Sequence, residues 1–118
     1  MDKSMMAYAG KYLFAIPFLI FGIFHFMNAQ AMAGMVPSFI PGGIFWIYLT
    51  GLAFIAAASS VLLNKQVKRA MQLLALMLMI FVITIHLPAT INNMSAASNL
   101  LKDVALAGGA LLLGSQSK

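Results

Sequence analysis

Four long apolar runs, at 12–27, 44–63, 70–87 and 99–113, occupy most of this 118-residue chain. Only short polar or Pro/Gly-rich segments separate them. At about 1.5 Å per residue, a run of some 20 residues is roughly 30 Å long, the thickness of a bilayer's hydrocarbon core. In lipid, each backbone N–H and C=O has to be satisfied within its own segment, so each run is expected to be a helix. Charged residues make up 8% of the chain and its mean hydropathy is +0.98, whereas a soluble domain carries about 25% charged residues. Too few polar side chains exist to cover a surface facing water. The expected fold class is all-α, an integral membrane four-helix bundle. It forms a single transmembrane domain over 1–118, with helices near 8–28, 43–63, 70–87 and 98–114.

The residues between the runs set the expected boundaries. Met1 to Gly10 reads as a mildly polar leader, and Pro17 predicts a kink in the first run. Lys3 and Lys11 ahead of an apolar stretch, with Ala29-Gln30-Ala31 beyond it, also fit a cleavable signal. The rest of the chain is equally apolar, so this run is read as a retained span. Residues 29–43, with Pro37, Pro41 and the Gly42-Gly43 pair, predict a loop. Val36, Phe39 and Ile40 make that loop apolar enough to lie in the interface beside Trp46. Asn64 to Arg69 predicts a tight basic turn. Pro88 is expected to end the third helix, and Thr90 to Ser98 to form a polar loop. Ser98 or Asn99 is then the expected cap of the fourth helix.

Charge predicts orientation. Four spans put both termini and the Asn64–Arg69 turn on one side, with Lys3, Lys11, Lys65, Lys68, Arg69 and Lys118. The other side has only Lys102, beside Asp103. Cytoplasmic segments of membrane proteins are rich in Lys and Arg, so both termini are expected to be cytoplasmic. The net charge of +5 is scattered or sits at helix ends, which gives no nucleic-acid face. The chain has no cysteine, which excludes disulfides, thiolate clusters and thiol catalysis.

The remaining polar residues then fall at one depth. His25 lies near the outer end of the first run and His86 near that of the third. Lys102 and Asp103 lie one turn into the fourth, and Asn28 is at a similar level. Adjacent helical residues point about 100° apart, so Lys102 and Asp103 cannot face the same neighbour. Asp103, Ala107, Ala110 and Gly114 share one face of small residues suited to close packing, so Asp103 is expected to turn inward. Ala53, Ala57 and Ser60 give the second run a similar face.

Two readings of this cluster stay open. In one, the histidines and Asp103 hydrogen-bond between helices, Asp103 complements a helix N-terminus and Lys102 snorkels to the headgroups. In the other, Asp103 orients a histidine that serves as a proton carrier beside an apolar slot for a quinone-like molecule. Phe18, Phe21, Phe24, Phe26 and Trp46 would line that slot. The candidate ligand-binding residues are His25, His86, Asp103, Lys102, Asn28 and Trp46. Haem ligation by His25 and His86 is disfavoured, because the small faces that would admit a porphyrin lie on the second and fourth runs. Nothing in the spacing asks for a metal. The ten methionines are read as packing and lipid-facing residues.

Several stretches together resemble the DoxX-like family of small four-helix membrane proteins. They are Gly22-x-x-His25-Phe26, the Pro37…Pro41 loop, His86-Leu87-Pro88, and above all Asn99-Leu100-Leu101-Lys102-Asp103-Val104-Ala105-Leu106-Ala107-Gly108-Gly109. His25, His86 and Asp103 match the family's characteristic polar positions. The resemblance implies a bacterial inner-membrane protein that is accessory to quinone-linked or oxidative-stress redox processes. The small size, the absence of a long polar stretch and the apolar outer loop give the alternative, a non-catalytic structural subunit or assembly factor of a larger membrane complex. The implied partners are the lipid bilayer and other membrane subunits or further copies of the chain.

Overall fold

Asp2 opens the first helix. Its carboxylate accepts from the Met5 N–H at 2.9 Å and from the Ser4 hydroxyl at 2.9 Å. Those bonds hold its carboxyl below the usual carboxylate range, because both favour the charged form. Such a cap satisfies an otherwise orphaned donor at the helix start. In the computed structural model, which describes residues 2–36 and 38–117, α1 therefore runs Lys3–Met27. It begins earlier than the expected residue 8, and most of the supposed leader is helical. It continues through Pro17. Met1, Pro37 of the expected turn and Lys118 of the basic end lie outside the described residues.

The segment read as a loop after α1 is partly ordered into helix. Ala29–Met32 forms the short α2, and Ala33–Met35 a single 3₁₀ turn. Ala, Gln and Met are good helix formers, and no Gly or Pro interrupts them before Gly34. Gly42 and Gly43 have φ of 107° and 45°, values that favour glycine. The turn they make is closed by the Trp46 indole N–H, which donates to the Pro41 carbonyl. From there α3 runs Ile44–Leu63. Asn64 ends it in the left-handed region, with the Lys65 N–H donating to the Ser60 carbonyl and the Asn64 N–H to that of Val61. This is the Schellman arrangement, in which asparagine serves as the residue with positive φ.

The third span differs most from expectation. It comprises α4 (Val67–Phe81), a π-helical turn (Val82–His86) and α5 (Leu87–Asn92), and so passes straight through Pro88. Proline removes a donor and crowds the carbonyl four residues back. Here the wider turn takes up the mismatch, with the Leu87 N–H reaching the Val82 carbonyl five residues earlier. The Thr90 hydroxyl donates to the His86 carbonyl at 2.7 Å, as threonines in membrane helices commonly do near a proline. The chain then breaks at Asn93, which is extended, and re-enters through a 3₁₀ turn, Met94–Ala96, into α6 (Ala97–Ser115). Neither Ser98 nor Asn99 caps α6, whose first turn follows Ala96 without a side-chain cap; the side-chain cap is Asn93, at the start of the 3₁₀ turn. Its side-chain oxygen accepts from the Ser95 N–H at 3.1 Å and the Ser95 hydroxyl at 2.9 Å. Asn93→Ala is expected to lower stability by about 1 kcal/mol, read as an earlier thermal unfolding transition in detergent.

Among the described residues, four helices are long and apolar enough to cross a membrane: Lys3–Met27, Ile44–Leu63, Val67–Asn92 and Met94–Ser115. No strand occurs among the described residues. The spans pair as two intimate antiparallel hairpins, α1 with α3 and α4 with α6, while α3 and α4 meet less closely. Gly22 lies against Gly51 in the first hairpin and Gly114 against Met71 in the second. Phe18, Phe54, Val61, Met71, Leu74, Leu78 and Ala110 fill the core. Leu13, Met27, Leu101 and Leu112 are among many large apolar side chains facing outward.

Candidate functional site

The last span positions the acid. Asp103, Ala107, Ala110 and Gly114 are its four buried residues. Their small side chains bring α6 close to α4: a Cβ on Gly114 would lie 3.0 Å from Met71 Cβ. The antiparallel α4–α6 hairpin then carries Asp103 to the far end of the third span, where the π turn ends in His86. His86 Nε2 lies 2.8 Å from Asp103 Oδ2, with the two side chains 15% and 10% exposed. A carboxylate only accepts, so Nε2 carries the hydrogen and donates. His86 Nδ1 has no protein partner among the described residues and is left available.

His25 is held in the opposite tautomer. Its Nδ1 sits 2.6 Å from the Phe21 carbonyl one turn back, so Nδ1–H donates and Nε2 is left over. Its ring packs edge-on against Phe54, with centroids 5.2 Å apart. The Gly22–Gly51 contact makes this possible, because Gly51 leaves room beneath the His25 Cβ.

A single cavity of about 260 Å³ receives these groups. His25, His86, Asp103 and Lys102 all line it, with Thr50 and Asn99 as further polar groups. Phe18, Phe21, Phe54, Phe81, Ile47, Leu78, Ile85 and Leu106 form its apolar walls, and Met32, Met35 and Val36 of the α2 segment cover one side. Lys102 is exposed at the rim, while Asp103 is buried, which follows from their 100° separation on one helix.

Two candidates fall elsewhere. Asn28 donates back to the Phe24 carbonyl at 3.1 Å, and Trp46 closes the Gly42 turn. Neither lines the cavity. Phe24 and Phe26 also miss it: Phe24 is half exposed, and Phe26 packs instead against Tyr48 of α3, with ring centroids 5.5 Å apart. Phe54, Phe81, Thr50 and the two loop methionines were not singled out by sequence, and Asn99 was read as a helix cap rather than as a wall of the site. Apolar residues in a membrane helix look alike whether they face lipid or a cavity, and only Asn99 and Thr50 offered a polar signal.

At about 260 Å³, the cavity lies just below the usual range for small-ligand sites, about 300–1,000 Å³. Among the described residues, no three His, Cys, Asp or Glu side chains come together as a metal-ligand set.

Fold and site define a class: an all-helical protein of four potential spans, with a His–Asp pair in the wall of an apolar cavity. Residues 14–111, which include every cavity-lining residue, match a family described as a domain of unknown function, DUF8561, and the chain belongs to that family. No curated protein and no solved structure matches it.

Proposed function

We propose that this is a DoxX-like multi-pass protein of a bacterial inner membrane, with both termini cytoplasmic, that binds a quinone-like ring as an accessory to quinone-linked or oxidative-stress redox processes. The orientation is supported by charge. Lys3, Lys11, Lys65, Lys68 and Arg69 lie at the end of the bundle that holds the termini and the Asn64 turn, and Lys102 lies at the other.

The observation that carries the ligand reading is the His86–Asp103 contact of 2.8 Å in the wall of an otherwise apolar cavity that His25 shares. A quinone, when bound, takes up electrons together with protons at its two carbonyls. The chain's own groups suit the proton side of that chemistry. Asp103 fixes the tautomer and orientation of His86, so that Nδ1 presents its lone pair to a ring hydroxyl. His25 offers Nε2 in the same way. The aromatic walls bind the ring face and exclude water.

Native mass spectrometry of the protein, extracted gently from its own membrane, tests this. A retained lipophilic molecule of fixed mass, lost in His86→Ala, is expected. A fixed set of protein partners, with no small molecule and no sensitivity to His86→Ala, would instead support a non-catalytic structural subunit or assembly factor. One observation favours that second reading. Leu101, Val104, Gly108 and Leu111 form an exposed apolar stripe on α6, and Gly108 has open space where a side chain would stand, as at many helix–helix contacts in lipid.

A further inference from the structure

A second concavity lies at the opposite end of the bundle, where α3 and α4 part. It has a volume of about 320 Å³. Ala53, Ala56, Ala57 and Ser60 form one wall, Ala70, Leu73, Leu74 and Met77 the other, and Gln66 and Arg69 stand at its mouth. From Ala53 to Ser60 the groove follows two turns of helix, roughly 10 Å. The alanines that were expected to bring a neighbouring helix close instead leave this space open.

Arg69 brings to the mouth a charge that no carboxylate among the described residues balances, with Lys65 and Lys68 close by in sequence. Lys65, Lys68 and Arg69 fall within five residues of one another. The chain has two acids in all. Asp2 caps α1 through Met5 and Ser4, and Asp103 holds His86 at the far end. Among the described residues, Arg69 therefore has no carboxylate partner. Gln66, beside it, is held at φ 54°, a left-handed conformation that costs a side chain about 1 kcal/mol or more.

We propose that this groove is a binding site for an anionic phospholipid. The phosphate pairs with the Arg69 guanidinium, whose planar fork matches phosphate oxygens, and the Gln66 amide adds a donor. An acyl chain lies along the alanines. Basic pockets between membrane helices on the cytoplasmic side suit such headgroups. The positive-inside bias alone would require the charges but not the groove beneath them. The proposal rests on the membrane reading and is independent of any ligand in the His86–Asp103 cavity.

The test uses the full-length protein in nanodiscs made from an equal mixture of phosphatidylglycerol and phosphatidylcholine, followed by native mass spectrometry of the lipids that stay bound. The wild type is expected to retain phosphatidylglycerol in preference to phosphatidylcholine. Arg69→Gln should cut that preference roughly five- to tenfold. Ala56→Leu, at an exposed position that fills the groove without altering charge, should cut it comparably. Lys3→Gln should leave it unchanged. Equal losses in Arg69→Gln and Lys3→Gln would reduce the effect to bulk charge and overturn the site. So would full retention in Ala56→Leu. A dimer without bound lipid that dissociates in Ala56→Leu would show that a second copy occupies the groove, and would likewise overturn the proposal.

Discussion

Asp103→Ala is expected to abolish ligand retention and to destabilise the bundle by about 1–3 kcal/mol, the cost of leaving a largely buried partner unsatisfied. Asp103 is the one charged side chain buried among the described residues, and its contact to His86 joins the third span to the fourth. Removing the carboxylate leaves His86 Nε2–H facing an apolar wall with no acceptor. Asp103→Asn separates the two roles. An amide oxygen still accepts from Nε2–H and preserves the packing, but the bond is no longer charge-assisted and holds the tautomer and orientation of His86 less firmly. The Asn variant should therefore unfold close to wild type while still retaining ligand poorly. The check is thermal unfolding in detergent, run alongside native mass spectrometry on both variants. If ligand retention survives in both while Asp103→Ala is destabilised, the pair is a packing device and the binding-site reading fails.

Gly51→Ala should destabilise the first hairpin by about 1–3 kcal/mol, the usual cost of overpacking a close contact. The added Cβ would lie 2.8 Å from His25 Cβ, 3.0 Å from the Gly22 carbonyl oxygen and 3.2 Å from a ring carbon of Phe26. From the other side, a Cβ on Gly22 would meet the Gly51 carbonyl oxygen at 2.8 Å and Ile55 more closely still. Backbone cannot move aside as a flexible side chain can, so α1 and α3 must separate. His25 hangs directly over this contact, so the cavity should lose ligand affinity together with stability. Gly108→Ala is the control. Nothing lies within 4 Å of its added Cβ, and alanine is the better helix former by about 1 kcal/mol, so that variant should be neutral or slightly more stable. A Gly51→Ala protein as stable as wild type would show that the α1–α3 approach is looser than described.

The face of α6 was legible in advance because it is marked by residues that stand out in an apolar run. One acid and three small residues at helical spacing all prove to be buried. The face of α3 misled for a related reason. Ala53, Ala57 and Ser60 have the same small size, but small residues permit a close approach without requiring one. The close approach of α3 is made by Gly51 against Gly22. Asn28 and Trp46 lie near the expected level of the chain, yet local bonds to Phe24 and Pro41 claim their polar atoms. The π turn left no mark beyond Pro88, which reads more naturally as a helix end.

Composition and run length were enough to determine an all-helical chain with four potential spans, because satisfying every backbone group in lipid leaves a long apolar segment little choice but helix. Tertiary structure alone decided which helices pair, how the third span survives its proline, and that His25, His86 and Asp103 line one cavity. The reason is physical. In a water-soluble helix, the apolar stripe marks the buried side. For a helix that spans a bilayer, lipid and core are both apolar, so periodicity carries no information about inside and outside except where a charge or a glycine interrupts it.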